Sequence, residues 1–312
     1  MKISIALCTY NGAKYLREQL KSLAEQVLKA DEVVICDDNS KDNTIQIIDD
    51  YIDKLNIKLT VNKVNLGVTK NFEQAISLCS GDIIFLCDQD DVWDKNKIKI
   101  MAEKMQDEKI GLCFCNGIVT DSNLKQLSNY TLWKTSGLDK VDLDKFSAYN
   151  LINNYYFTGM ATAFKSSLKQ YIFPISKDAV HDEWIAFIAI CMSKVVFVEE
   201  KLVFYRQHDN QQIGVNSIKS LKEIWQILNR CKISSTEKEL RKFEDLILRL
   251  KELNVDLKVI TELKNKVKHF KYRTTRNKFR LFILLWQLVI GQYNKYSNNL
   301  YKSFLKDFFA GK

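Results

Sequence analysis

The sequence predicts an α/β fold, a mostly parallel sheet flanked by helices and followed by a helical C-terminal extension. Three observations predict it. Short apolar runs alternate with stretches of helical spacing up to about Asp121. Three of those runs end in polar turns: Thr9-Tyr10-Asn11-Gly12, Asp37-Asp38-Asn39-Ser40 and Asp88-Gln89-Asp90-Asp91. From Ser217 onward, helical spacing takes over, with about 22 Lys and Arg against about 9 Asp and Glu, whereas the earlier part is slightly acidic. A boundary near Asn216 therefore divides the 312 residues into a region 1–216 and a basic amphipathic region 217–312.

Ile3 to Leu7 reads as the first strand. Ala13 to Gln26 has helical spacing with Leu16, Leu20 and Leu23 on one face. Glu32 to Cys36 is a second strand, followed past Ser40 by a helix through Ile45, Ile48 and Ile52. Ile57 to Val61 is a third strand, Asn65-Leu66-Gly67 a turn, and Asn71 to Leu78 a helix. Ile83 to Cys87 is brief, apolar and preceded by Ser80-Gly81-Asp82, which marks a buried fourth strand. A fifth runs through Ile110 to Cys115. Right-handed crossovers in such a sheet bring the turns after Leu7, Cys36 and Cys87 to one edge, where open α/β sheets bind ligands.

The fourth strand ends in three carboxylates. Asp88 and Asp90 repel one another unless a cation lies between them, and Mg²⁺ or Mn²⁺ suits both carboxylates and diphosphate oxygens. The plain alternative is an acidic turn capping the next helix. The composition is 46% hydrophobic, ordinary for a globular chain. Its 8 Cys form no CxxC pair and alternate with apolar residues, so they read as small buried hydrophobes in a reducing compartment. The first residues enter a strand at once, which leads us to expect no signal peptide and a cytoplasmic location.

In order and spacing, Thr9-Tyr10-Asn11, Asp37-Asp38-Asn39-Ser40, Asn65-Leu66-Gly67 and Asp88-Gln89-Asp90-Asp91 resemble the successive motifs of family 2 glycosyltransferases. His181-Asp182-Glu183-Trp184 and Tyr205-Arg206-Gln207-His208 are similar to later motifs of bacterial rhamnosyltransferase-like members, which build surface polysaccharides. The resemblance covers about residues 1 to 216. It implies a GT-A fold and an inverting, metal-dependent transfer from a nucleoside diphosphate sugar, with dTDP-rhamnose as first donor and UDP-sugars next. The acceptor it implies is a saccharide hydroxyl, for instance on a lipid carrier. Many processive relatives carry Gln-x-x-Arg-Trp near Tyr205; this chain does not, which argues for addition of a single sugar.

Chemistry and resemblance together suggest a residue set. Asp37 and Asp38 can accept hydrogen bonds from a ribose or a pyrimidine N–H, and Asp38 is the position the family uses. Either could instead belong to the cap of the next helix. Thr9 and Asn11, with Asn65 and Gly67, complete the nucleotide side. Asp88 and Asp90, with His208 as a further ligand, form the metal set, and Arg206 can pair with a diphosphate. An acceptor hydroxyl needs a base in the transition state. His181, Asp182 and Glu183 all qualify on charge, or could merely cap the helix that follows; the resemblance assigns the base to Asp182. Gly159, in Thr158-Gly159-Met160-Ala161, resembles the small-residue turn beneath the acceptor. Trp184 can stack on a sugar or belong to the core.

In the C-terminal region, Trp225, Leu228 and Cys231 share a helical face, as do Phe243, Leu246 and Leu250. Lys264 to Arg280 is rich in Lys and Arg, and Phe279 to Ile290 is apolar but shorter than the ~20 residues that span a bilayer. That pairing suits an anionic membrane surface, with helical packing or a homodimer interface as alternatives. No nucleic-acid recognition module accompanies the charge, which excludes nucleic acid as a partner. Two other functions fit less well. A nucleotidyltransferase needs a Gly- and basic-rich phosphate loop where Cys8-Thr9-Tyr10-Asn11 stands, and a non-catalytic nucleotide-sugar-binding module needs no base at Asp182.

Overall fold

The computed structural model describes residues 1–208, 233–274, 280–296, 303, 304 and 307. The face expected through Trp225, Leu228 and Cys231 lies outside the described residues. In chain order the first part runs β1 (Ile3–Thr9), α1 (Leu16–Ala24), β2 (Glu32–Asp37), α2 (Thr44–Asp49), β3 (Ile57–Val61), α3 (Val68–Leu78), β4 (Ile83–Cys87), β5 (Val92–Trp93), α4 (Lys97–Lys104), β6 (Ile110–Thr120), β7 (Gln126–Thr131) and α5 (Leu132–Ser136). After α6 (Ala148–Asn153) come β8 (Thr162–Lys165), α7 (Lys169–Ile172), α8 (His181–Met192) and β9 (Lys194–Arg206). The tail holds α9 (Ile233–Glu252), α10 (Leu257–Thr274), α11 (Arg280–Val289) and α12 (Gln292–Tyr296).

Among the described residues the nine strands form one sheet, ordered β3-β2-β1-β4-β8-β6-β9-β5 with β7 on β6. The first half is parallel, as the strand–helix alternation requires. Beyond β4 the sheet is mixed: β8 is antiparallel to both β4 and β6, and β9 runs parallel to β6. β2 and β4 are buried along their whole length, consistent with helices on both faces. Leu16, Leu20 and Leu23 of α1 are buried, as their spacing predicts. α2 departs from expectation. It ends at Asp49, so Ile47 and Ile48 face inward while Ile52 lies past the helix and is 51% exposed.

The described cysteines are free, most of them buried. Burial pushes Cys36 up to about 11 and Cys79 up to about 12, so they behave as hydrophobes at neutral pH.

Two compact units emerge. The first comprises Met1–Lys145, Tyr156–Ile175 and Val180–Val215; the second comprises Phe146–Tyr155, Ser176–Ala179 and Asn216–Lys312. The second is helical and laced by polar contacts. Asn153 Nδ2 donates to the Lys295 carbonyl at 2.6 Å, Ser176 Oγ to Asp245 at 2.6 Å, and Arg241 pairs with Asp178 at 2.7 Å. Its core includes Phe243, Leu246 and Leu250, the face their spacing predicts. Arg273 pairs with Asp307 at 2.5 Å, and Tyr293 OH donates to the same carboxylate at 2.8 Å.

Glu32 fastens the edge of the parallel half remote from the polar turns. Burial alone raises a carboxyl's pKa, but Lys58, Ser4 and Ser80 all donate to this one and hold it at about 2. The folded-state value lies below the ordinary 4.5, so Glu32 contributes its stability above about pH 4.5 and loses it as the pH falls towards 2. Glu32→Gln should therefore cost about 2 kcal/mol at pH 7, read by urea unfolding, and the deficit should shrink as the pH falls from about 5 to 2. A deficit independent of pH would assign the loss to packing.

Candidate active site

Parallel register sets the ends of β1, β2 and β4 side by side, with Thr9 opposite Asp37 and Leu7 opposite Cys87. The turns that follow are tied together by side chains. Gln89 accepts from Tyr10 N–H at 2.9 Å and donates to Tyr10 O at 3.1 Å. A Cβ on Gly12 would fall 2.1 Å from the Gln89 carboxamide oxygen, so a side chain there would displace Gln89 from Tyr10. Asn11, in the left-handed region at φ 48°, accepts from Lys41 N–H at 2.8 Å, and its own N–H donates to Ser40 Oγ at 2.8 Å.

Much of the expected nucleotide set is bonded within the turns. Asp37 is fully buried and accepts from Thr9 Oγ1, Ser40 Oγ and Ser40 N–H. Thr9 and Asp37 thereby shape the first two turns. Asp38 accepts from Leu66 N–H at 2.7 Å, Gly67 N–H at 2.9 Å and Asn62 Nδ2 at 3.0 Å. It therefore joins the second turn to Asn65-Leu66-Gly67. Gly67 takes φ 81°, which a side chain would oppose. Asn11 and Asn65 stay exposed on these turns.

The carboxylate turn after β4 is charged and largely enclosed. Burial, with Asp90 and Asp182 nearby, pushes Asp88 up to about 8. Asp91 is buried and raised for the same reasons, burial first and then Asp90 and Asp88; its Oδ2 has no partner among the described residues. His208 Nε2 lies 2.9 Å from Asp90 Oδ2, its ring tilted on Tyr15. Among the described residues, no three His, Cys, Asp or Glu side chains close into a complete metal cage, so the expected three-ligand set of Asp88, Asp90 and His208 is not assembled. The donor chemistry nonetheless fits Mg²⁺ or Mn²⁺, which bind through one or two carboxylates and take further ligands from substrate phosphates. Clustered carboxylates, one with an orphaned buried oxygen, are what such a cation relieves.

Two buried cations brace this turn. Lys97, fully buried at the start of α4, donates Nζ to the Met160 carbonyl and sits 3.3 Å from the centre of the Trp93 ring. Burial draws its pKa down to about 8 despite the neighbouring acids. Arg206 is 1% exposed. Its Nε donates to Asp90 O at 2.7 Å, its Nη1 to Ser122 O at 2.6 Å and its Nη2 to Glu18, and its plane covers Tyr15. In this structure Arg206 thus ties the carboxylate turn, through Asp90 O, to Ser122 and Glu18.

Across from this turn lie β8 and α8. Gly159 N–H donates to Asp182 Oδ2 at 2.8 Å, and Asp182, in the first turn of α8, is buried. A Cβ on Gly159 would meet His181 Nε2 at 3.0 Å and Asp88 Oδ2 at 3.6 Å, so Asp88, Gly159, His181 and Asp182 share one small volume. Of the two places open to it, Trp184 takes the core, being 4% exposed with its indole N–H donated to Ile172 O at 2.8 Å. Sequence reasoning missed Gln89, Lys97 and Glu18. Only Gln89, inside the acidic motif, carried a visible signal.

Residues 4–172 match the sequence profile of Glycosyl transferase family 2. The dTDP-rhamnosyl transferase RfbG of Shigella flexneri is 30% identical over 226 residues, which span 67% of this chain and 74% of that protein. The chain belongs to glycosyl transferase family 2. Among further relatives, the abequosyltransferase RfbV of Salmonella typhimurium is 31% identical over 133 residues, 41% of this chain and 40% of that one. The fold of this family 2 chain matches residues 1–349 of Staphylococcus aureus TarS, solved with UDP-GlcNAc, at a TM-score of 0.57 and 19% identity over 100% of this chain and 93% of that one. It also matches the mannosyltransferase PcManGT of Pyrobaculum calidifontis, solved with GDP-Man and Mn²⁺, at a TM-score of 0.57 and 15% identity, covering 99% and 86%. The architecture is thus the GT-A arrangement of a glycosyltransferase.

Arg206→Lys should separate positioning from ligand binding. A lysine cannot reach Asp90 O, Ser122 O and Glu18 together, so unfolding stability should fall by about 2–4 kcal/mol. Full stability with a selective loss of nucleoside diphosphate affinity, read by calorimetry, would give Arg206 the diphosphate role.

Proposed function

We propose that this glycosyltransferase moves one sugar from a nucleoside diphosphate sugar to a saccharide hydroxyl, inverting the anomeric centre, with Asp182 as general base. The observation that carries this reading is the shared volume in which the buried Asp182 carboxylate, held by Gly159 N–H, faces the Asp88 turn. In one displacement the acceptor oxygen attacks the anomeric carbon while its proton passes to Asp182. The bond to the diphosphate breaks and its electron pair leaves on a phosphate oxygen. Asp88 and Asp90 would hold Mg²⁺ or Mn²⁺ beside the diphosphate, with His208 adjacent to Asp90. When bound, that cation supplies positive charge for the leaving group. Asn11, Asp38, Asn65 and Gly67 form the nucleotide side. The Shigella relative makes dTDP-rhamnose the first donor to try, and TarS makes UDP-sugars the next; the acceptor follows from the saccharide chemistry of the same relatives.

Asp182→Asn should abolish transfer, at least about 10²-fold, while donor affinity in the presence of Mn²⁺ stays near normal. Asp90→Asn should do the reverse at equilibrium, weakening that affinity in calorimetry. Proton NMR should find the product anomer inverted. Normal turnover in the Asp182 variant would move the base to Glu183 or His181, and retention would overturn the single displacement.

The tail supports attachment to an anionic membrane. No helix among the described residues is long and apolar enough to cross a bilayer. On α11, however, Phe282 is 71% and Val289 82% exposed, with Leu285 and Trp286 between them on the same helical face. Trp286 meets Tyr272 of α10 edge-on, and Lys264 and Lys268 precede Tyr272 at four-residue intervals, both exposed. Apolar side chains beside exposed ammonium groups suit an anionic lipid surface. Phe282→Ser/Val289→Ser should lose sedimentation with phosphatidylglycerol vesicles, and salt should weaken the unsubstituted protein's binding. Dimerisation abolished by the same change, with vesicles ignored, would make the face a homodimer interface.

A further inference from the structure

His181 is a buried imidazole. It is 4% exposed, and among the described residues neither ring nitrogen has a hydrogen-bond partner. Buried polar atoms are seldom left so, since an unmet donor or acceptor costs about 1–3 kcal/mol. The ring is not loose. It stacks on Phe72 with centroids 3.8 Å apart and planes 12° from parallel, which fixes the direction of both nitrogens. Nε2 points at Gly159, close to where a side chain would begin. That space is empty because residue 159 is glycine, and its other wall is Asp88 Oδ2. The backbone of Gly159 is itself pinned, by its N–H to Asp182 and by Lys97 on the next carbonyl. The result is a cradle with a rigid floor, one carboxylate oxygen and one ring nitrogen.

We propose that His181 Nε2 and Asp88 Oδ2 together bind a ring hydroxyl of the donor sugar in the cradle left open by Gly159. A hydroxyl has one hydrogen to give and lone pairs to accept with. It would donate to the carboxylate and accept from the imidazole N–H, satisfying both walls at once. Burial lowers the pKa of His181, so the ring is neutral and carries one N–H. The donor rather than the acceptor is the source, because Asp88 belongs to the turn that faces the diphosphate. The pair therefore selects among donors: a sugar lacking that hydroxyl leaves two buried groups unmet, a stronger penalty than a missing apolar contact. This inference rests on the transferase reading above.

The test is an equilibrium measurement in the Asp182→Asn background, where the donor is not consumed. Calorimetry with Mn²⁺ compares thymidine and uridine diphosphates with dTDP-rhamnose, UDP-glucose and UDP-GlcNAc. His181→Phe, which keeps the stacking on Phe72, should leave the preferred nucleoside diphosphate within about twofold and weaken its sugar conjugate about tenfold. Gly159→Ala, which fills the cradle, should do the same, and His181→Gln should recover part of the loss. Equal losses for nucleotide and conjugate, or no loss for the conjugate, would overturn the proposal. If the unsubstituted background protein binds none of these nucleotides, the transferase reading falls first and this one with it. With Asp182 intact, normal donor affinity and a raised KM for the acceptor alone in the His181→Phe protein would assign the cradle to the acceptor and refute the donor assignment.

Discussion

Negative charge crowded into a space with little water is the condition on which the catalytic unit is built. Asp88, Asp90 and Asp91 follow one strand, and Asp182 approaches from a helix nearly a hundred residues later. Left alone, such a group would open the turn or take up protons. Two cations from different parts of the chain prevent the first. Lys97 holds the carbonyl beside Gly159, and Arg206 holds the backbone of the acidic turn. Neither neutralises the cluster, since Asp88 and Asp91 remain shifted towards their protonated forms. The fold thus gathers carboxylates whose charged forms burial and one another disfavour.

Scaffold and chemistry are divided along the sheet. At the ends of β1 and β2, nearly every polar atom that sequence reasoning offered to a nucleotide is already used by a neighbour: Thr9 by Asp37, Asp37 by Ser40, Asp38 by the backbone of Leu66 and Gly67. These residues fix where the turns lie and leave Asn11 and Asn65 at the surface. The crowded carboxylates sit one strand further on. There the sheet changes from parallel to mixed, and β8 brings the Gly159 turn against β4. The change of direction is what lets two distant acids meet.

The parallel half was legible because each strand is a short apolar run and each crossover helix keeps its face; Leu16, Leu20 and Leu23 illustrate this. The mixed half was not. β5 has two residues and β8 four, too few for periodicity to show, and their partners are distant in sequence. Asp88, Asp90 and Asp182 stood out because charge at the end of an apolar run needs a reason. Lys97 did not, since a lysine opening a helix reads as solvent-facing until Trp93 and Met160 are folded around it. Arg206 was legible as a cation beside a cleft, but its partners Asp90 O, Ser122 O and Glu18 lie far from it in sequence and could not be read there. Trp184 likewise follows a charged triplet and turns inward.

The helical unit is not a simple appendage at the end of the chain. It draws Phe146–Tyr155 and Ser176–Ala179 from within the earlier sequence, and Asn153, Ser176 and Asp178 each bond to tail helices. No single junction separates the two units. A lineage could therefore not trade this tail for another by one recombination event without leaving two internal segments lacking their partners. Inheritance should keep tail and inserts together, and substitutions at Ser176 or Asp178 should track those at Asp245 or Arg241 across descendants.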